Sequence, residues 1–113
     1  MNNNHLEPWY GAKCIFVHYD LADNKNTKTY EERIVVFKAK NFDDAILQAE
    51  TEAENYAKDC SNTKYVNFVN VFHIYDEVVK SGSEVYSLMR DSKLTPAKYL
   101  NRFYDTNKER AQK

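Results

Sequence analysis

Glycine is scarce in this chain, since Gly11 and Gly82 are the only two among 113 residues. A P-loop or a dinucleotide-binding loop needs several glycines within a few residues, where the backbone approaches a phosphate closely. Neither loop can be built from this sequence. The GxSxG, HExxH and EF-hand patterns do not occur either. Several large enzyme classes are therefore unsupported, and the sequence alone does not say what the protein does.

Long apolar runs are also missing from the sequence. No stretch approaches the ~20 apolar residues that a membrane-spanning helix needs. Residues 1–5 lack the basic start and apolar core of a secretory signal. Cysteine occurs only at Cys14 and Cys60, on different predicted elements, where we expect both thiols to be reduced and buried. We therefore expect a cytoplasmic protein.

Net charge is close to zero, at -1, so no overall field favours nucleic acid or an anionic membrane. The charge is unevenly distributed along the chain. Residues 31–59 carry a net charge of -4, and residues 93–113 carry a net charge of +4. The two regions could present faces of opposite sign, although a solvated surface also accounts for such runs.

Hydrophobic periodicity predicts the secondary structure. Apolar alternation with many aromatic and β-branched side chains predicts strands at residues 9–19, 29–39, 63–79 and 84–89. Apolar positions at helical spacing predict one long amphipathic helix over residues 41–60, with Asn41 as its N-cap. Thr95 followed by Pro96 predicts the start of a C-terminal helix.

These elements predict an α+β fold with a four-stranded, mainly antiparallel sheet in the order β-β-α-β-β-α. The long helix is expected to cover one sheet face, and the C-terminal helix to pack on an edge or on the other face. At this length we expect one domain, over residues 9–105. Residues 1–8 are expected to form a disordered tail, and residues 106–113 a frayed C-terminus.

Four stretches of the chain carry a resemblance to a known family. They are WYGAK at 9–13, YEERIVVFKA at 30–39, NFDDA at 41–45 and GSEVYS at 82–87. Together they resemble a bacterial small-domain family known only as a domain of unknown function, over residues 9–90. The resemblance implies a small cytosolic α+β protein. It transfers no activity and no catalytic residues, because fold and function must be argued separately.

The first functional hypothesis is a non-enzymatic bacterial protein-binding module, in concrete terms an immunity- or antitoxin-like accessory factor. Nine tyrosines suit a contact surface, because tyrosine is enriched where a surface is buried against a partner. An acidic face that covers a partner's site would use four residues on the exposed side of the long helix: Asp44, Leu47, Glu50 and Glu54. This hypothesis expects a protein partner, no catalytic residue and no cofactor.

An alternative is a small ligand-binding domain or enzyme with an aromatic pocket, whose polar groups would be His18, Glu32 and His73. Convergence of Cys14 with the two histidines could in principle hold a zinc ion. No closely spaced ligand pair supports such a site, and we expect no metal. Glu31 and Glu32, together with Arg33, are expected to form cross-strand ion pairs at an exposed stretch of the second strand.

A second alternative is weak nucleic-acid binding through the basic C-terminal residues Lys98, Arg102, Lys108 and Arg110. The near-neutral total charge makes nucleic acid an unfavoured partner. Aromatic residues on an exposed edge strand would also allow a homodimer.

Overall fold

A computed structural model describes residues 7–19, 28–104 and 108–109. Its five elements follow in chain order: β1 (Trp9–Tyr19), β2 (Lys28–Lys38), α1 (Phe42–Asp59), β3 (Thr63–Ile74) and α2 (Pro96–Phe103). The tail predicted for residues 1–8 and the frayed end predicted for 106–113 fall mostly outside the described residues. The loop joining β1 to β2 also lies outside them.

The three strands form one antiparallel sheet in the order β2-β1-β3, with β1 in the centre. Successive side chains of a strand point to opposite faces. The even-numbered residues of β1 from Tyr10 to Phe16 face α1 and are buried, and their β2 partners run from Phe37 to Glu31. The aromatic and β-branched content of β1 suits this central position, where both neighbours shield it.

Helix α1 covers one face of the sheet. Ala45, Ala49 and Ala53 recur every four residues and are buried against it. They pack onto a core that centres on Phe16 of β1 and Tyr65 of β3. Alanine allows a helix backbone to approach a sheet closely, so the large rings of the sheet fill the space between the two layers.

Local contacts fix where α1 begins. The side chain of Asn41 accepts a hydrogen bond of 2.8 Å from the backbone N–H of Asp44. The Asp44 carboxylate in turn accepts from the backbone N–H of Lys40 at 2.9 Å. These bonds satisfy N–H groups that have no partner within the helix, and the two first-turn aspartates suit the positive end of the helix dipole.

Strand β3 is irregular in its middle. Cys14 pairs with Val69 and Phe16 pairs with Tyr65, so β3 takes four residue steps where β1 takes two. Asn67 lies at the irregularity with a φ of 64°, a left-handed conformation that asparagine tolerates better than most residues. The displacement keeps Tyr65 and Val69 on the same face, towards α1.

The predicted four-stranded sheet is wrong, because the sheet has three strands. Residues 84–89 form no strand: they are exposed, and the contact they make with the sheet is the Tyr86 ring against Phe72, 4.7 Å between centroids. A side-chain contact across a face replaces the backbone ladder that a fourth strand requires. The strand predicted to run to residue 79 ends at Ile74.

The second face of the sheet is left without a covering helix; we call it the open face. It includes the β2 residues Tyr30, Ile34 and Val36, which are paired with β1 residues pointing away from α1. Gly11 lies on this face directly beneath the Phe72 ring. A Cβ at position 11 would overlap that ring, so glycine permits the close approach.

The C-terminal helix was predicted to pack on a sheet edge or on the other face, but α2 makes no close backbone approach to the sheet. No Cα atom of α2 comes within 8 Å of a Cα atom in the strands or in α1. The predicted cap is present, since the Thr95 hydroxyl accepts from the Lys98 backbone N–H at 3.4 Å. None of the helices that the structure describes is long and apolar enough to cross a membrane.

Ala53→Asp is expected to unfold the protein. Ala53 is fully buried between α1 and the sheet, and an unpaired carboxylate there costs about 3 kcal/mol or more. Circular dichroism and urea unfolding measure the effect. Asn55→Asp places the same charge on the exposed side of α1 and should leave the unfolding midpoint nearly unchanged. A folded Ala53→Asp variant of normal stability would show that this face of α1 is not in the core.

Candidate functional site

The outward side of α1 carries three carboxylates around an exposed leucine; we call Asp44, Leu47, Glu50 and Glu54 the acidic face. Its position follows from the buried alanines, because side chains three and four residues apart share one side of a helix. Leu47 is 67% exposed. Burying the alanine stripe therefore turns Leu47 and Glu54 towards solvent, while Asp44 and Glu50 are half-buried.

Two of the three carboxylates are held by neighbouring groups. Asp44 accepts from the backbone at the start of α1 and from the Gln48 side chain at 3.3 Å. Glu50 accepts from the Tyr65 hydroxyl of β3 at 3.3 Å. Glu54 is exposed one turn further along the helix. The acidic face thus combines two positioned charges with the exposed carboxylate of Glu54.

The acidic face continues into a shallow groove between the end of α1 and the start of β3. The groove has a volume of about 300 Å³. It is lined by seven residues from these two elements and their connection: Glu54, Ala57, Lys58, Thr63, Lys64, Tyr65 and Asn67. One acid and two bases at its rim make it a mixed-charge cleft that could accept a polar side chain.

A polar network lies under the C-terminal half of α1. His18 Nε2 lies 2.8 Å from the Glu31 carboxylate, and its Nδ1 lies 2.7 Å from the Thr63 hydroxyl. Tyr56 of α1 donates its hydroxyl hydrogen to the same Glu31 oxygen at 2.8 Å. Because a carboxylate only accepts, Nε2 carries a hydrogen in this arrangement. The network ties all three strands to the helix.

Arg33 adds a second tie between β2 and α1. Its guanidinium donates two hydrogen bonds to the Glu52 carboxylate, at 2.6 and 2.9 Å, and lies 3.8 Å from the centroid of the Tyr56 ring. Cross-strand ion pairs were predicted for Glu31, Glu32 and Arg33. Glu32 lies beside Lys13 of β1 and Glu31 beside His18 of β1, whereas Arg33 binds the helix instead. Half-buried, bidentate pairs are more strongly directional than exposed ones.

Two tyrosines and a cysteine of this region have raised pKa values. Burial, followed by the Glu31 hydrogen bond, raises the pKa of Tyr56 to about 12. Burial also raises the pKa of Tyr65, and that of the Cys14 thiol beside it. A thiol with a raised pKa is a poor nucleophile, so Cys14 behaves as a packed core residue.

The structure does not bring the alternative ligand-binding residues together. His18 pairs with Thr63 at one end of β1, and His73 pairs with Tyr10 at the other, about 26 Å away along the strand. Glu32 lies on the open face, where it forms an ion pair of 2.8 Å with Lys13. No three His, Cys, Asp or Glu side chains in the described part of the chain are placed to hold a metal ion.

The basic residues proposed for nucleic acid lie at the C-terminal end. Lys98 and Arg102 are exposed on α2, and Lys108 is exposed beyond it. Arg110 lies outside the described residues. Arg102 also lies over the ring of Phe103, 5.4 Å from its centroid.

The polar network was not foreseen from the sequence. His18 and Glu31 are 13 positions apart, and Tyr56 is 25 positions beyond Glu31. No local spacing marks such a set. The sequence does show that Glu31 and Arg33 share a face of β2. If a helix covers that face, both side chains lie beneath it.

The comparisons with known proteins give a family. A family model described as a domain of unknown function (DUF4288) matches residues 9–87, which spans the sheet, α1 and the start of the segment after β3. No curated protein and no solved structure matches the chain significantly.

Tyr56 makes the stability of the protein depend on pH in the alkaline range. Its folded pKa of about 12 lies above the ordinary tyrosine value of about 10. The stability it contributes is therefore complete below about pH 10 and is lost as the pH rises towards about 12. We expect Tyr56→Phe to have a lower free energy of unfolding than the wild type at pH 8. This difference should shrink above pH 10.

Urea unfolding of the wild type and of Tyr56→Phe across this pH range measures the difference in free energy of unfolding. Tyr65 titrates alike in the wild type and the variant, so the difference isolates Tyr56. Tyr75→Phe, at a position that is 83% exposed, is the matched control. Its free energy of unfolding should equal that of the wild type at every pH tested. A difference between the wild type and Tyr56→Phe that stays constant to pH 12 would contradict the assigned role of Tyr56.

Proposed function

We propose that this chain, which belongs to the DUF4288 family of domains of unknown function, is a non-enzymatic protein-binding module. Its contact surface is the acidic face of α1. The concrete role is that of a bacterial, cytoplasmic accessory factor, of the immunity or antitoxin kind, which acts by covering a site on its partner. The family match assigns no activity, so the proposal depends on the surface itself.

The observation that carries the proposal is the exposure of Leu47 between carboxylates. A single exposed leucine is ordinary on a protein surface. Here it lies between Asp44, Glu50 and Glu54, which are spaced along one side of the helix. An apolar centre with a charged rim is the arrangement found at protein interfaces, where the rim selects the partner and the centre is desolvated.

The fixed positions of two rim charges support binding rather than simple solvation. The hydrogen bond from Tyr65 holds Glu50, and the bonds at the helix start hold Asp44. Side chains that are already ordered lose less conformational entropy when a partner arrives. A complementary partner would present basic side chains around an apolar one.

The groove next to Glu54 extends this surface. Its volume of about 300 Å³ is at the lower limit of a small-molecule pocket. It is open to solvent and carries Lys58 and Lys64 at its rim. These features favour a partner side chain, such as a carboxylate or an amide, over an enclosed metabolite.

The cysteines support the cytoplasmic part of the proposal. Cys14 is buried and Cys60 is half-buried, and both are free thiols. Free thiols persist in a reducing compartment.

Leu47→Lys is expected to weaken partner binding by roughly tenfold or more, because it puts a charge at the apolar centre of the acidic face. Glu54→Lys should weaken it less and should reduce its salt dependence. The partner is first identified by affinity capture from a bacterial lysate with mass spectrometry. Its affinity for each purified variant is then measured by isothermal titration calorimetry.

Asp59→Lys is the matched control. It reverses an exposed charge on the same helix, outside the acidic face, and should bind like the wild type. Equal affinity of the Leu47→Lys variant and the wild type would place the contact surface elsewhere on the molecule.

A further inference from the structure

Strand β2 forms one edge of the sheet, yet the composition of its middle is that of an interior strand. Ile34, Val35, Val36 and Phe37 are four consecutive apolar residues. Successive side chains point to opposite faces, so this run makes both faces of β2 apolar. Continuous apolar runs are typical of strands that have neighbours on all sides. In β2, however, Ile34 is 45% exposed and Val36 is 39% exposed.

The backbone edge of β2 that points away from β1 has no partner among the described strands. All 11 residues of β2 pair with β1 without a break in register, from Lys28 opposite Tyr19 to Lys38 opposite Trp9. The strand contains no proline and no glycine. Proline, bulges and short length are devices that keep an edge strand from pairing with another chain. Since β2 has none of them, its outer edge can accept a further strand.

The opposite edge of the sheet differs from that of β2. Strand β3 is irregular at Asn67, whose φ of 64° accompanies the break in pairing between Cys14 and Phe16 of β1. An irregularity of this kind bends a strand and hinders the addition of a regular partner. The two edges are therefore unequal, and β2 is the one suited to a further strand.

The sequence of β2 is complementary to itself when two copies run antiparallel about Val35. Ile34 then lies opposite Val36 of the second copy, and Val35 lies opposite its own counterpart. Glu32 lies opposite Lys38 of the second copy, so an ion pair closes each end of the apolar run. Because the two copies are related by a two-fold axis, the pairs on either side of Val35 are the same.

Neighbouring registers lose this match. A pairing centred on Ile34 would set Glu32 opposite Val36, where the carboxylate gains no partner. A pairing centred on Arg33 would set two arginines side by side, and like charges directly opposite each other are destabilising. The composition of β2 therefore favours the register centred on Val35.

The charges of the open face fit the same arrangement. Its charged strand residues are Lys13, Lys28, Glu32, Lys38 and Lys64, for a net charge of +3. Two such faces would repel each other if they packed face to face. When the two copies of β2 lie side by side, Lys38 instead meets Glu32 of the second copy, and no two lysines of β2 are directly opposite each other.

We propose that β2 pairs with β2 of a second copy, so that two three-stranded sheets join into one. The strand order of the joined sheet is β3-β1-β2-β2-β1-β3. The two-fold axis is perpendicular to the sheet, which reverses the strand direction and keeps the faces, so both α1 helices lie on the same side. The acidic faces stay outside the contact. The dimer therefore goes beyond the proposed function and does not depend on it.

Sedimentation equilibrium of the full chain over a range of concentrations measures the association. We expect the mass to rise from 13.3 kDa to twice that value and no further, because each copy has one β2 edge. Val36→Asp puts a charge into the apolar run and should weaken the dimer by roughly tenfold or more. Val66→Asp is the matched control. It makes the same change at a 43% exposed position of β3 and should associate like the wild type.

A charge exchange tests the register. Glu32→Lys and Lys38→Glu each set like charges opposite each other at both ends of the apolar run, so each variant alone should dimerise roughly tenfold more weakly than the wild type. Mixing the two variants should restore association, because every such pair in the mixed dimer joins opposite charges. Glu32→Lys also loses the ion pair with Lys13, but a general loss of stability would not be repaired by mixing.

Other outcomes contradict the proposal. A wild type that stays monomeric at roughly 1 mM would leave the β2 edge to a strand of another protein, since even a weak specific contact is populated at that concentration. Masses beyond the dimer would show an open-ended contact. A dimer weakened by Val66→Asp and not by Val36→Asp would place the contact on β3. Charge variants that stay apart when mixed would show that the register is wrong. Circular dichroism checks that each variant is folded.

Discussion

The contact between the alanine stripe of α1 and the central strand determines the rest of the molecule. Ala45, Ala49 and Ala53 allow the helix to lie close to the sheet, and Phe16 fills the layer between them with no exposed surface. The Phe16 ring in turn meets the rings of Tyr56 at 4.8 Å and Tyr65 at 5.6 Å. The structure buries apolar surface most completely at this contact between α1 and the sheet. The contact therefore sets which residues of α1 point outward.

The same one-sided packing gives the protein two dissimilar sides. The helix side is acidic at its surface and is held to the sheet by polar ties at its periphery, such as Arg33 to Glu52. The sheet side is basic and apolar, with the Lys13–Glu32 ion pair near its centre. The two sides of this small protein therefore differ in charge as well as in apolar content.

Much of the secondary structure could be predicted because its causes are local. Asn41 and Asp44 are three residues apart, so the start of α1 is visible in the sequence, and the four-residue spacing of the alanines marks its buried side. The alternation of β1 likewise depends on neighbouring residues alone. The fourth strand could not be judged in this way. Val85, Ser87 and Met89 alternate as a strand would, but an extended arm has the same pattern, and only a distant ladder partner distinguishes the two.

The candidate sites show the same limit. The exposure of Leu47 and Glu54 could be predicted from the sequence, because residues opposite a buried stripe face solvent, whereas the half-burial of Asp44 and Glu50 could not. The network around His18 could not, since its members come from four elements and meet only after the sheet has formed. His18 and His73 both lie in strands, but the distance between them depends on the antiparallel register, which places them at opposite ends of β1.

The central position of β1 has a consequence for the order in which the chain folds. Its pairing with β2 joins neighbouring segments, whereas its pairing with β3 brings Trp9 beside Ile74 across most of the domain. During synthesis β1 leaves the ribosome before β3, and it must keep one backbone edge unpaired until β3 has followed. Long-range pairing of this kind slows folding, and the unpaired edge is the part of the nascent chain most exposed to aggregation.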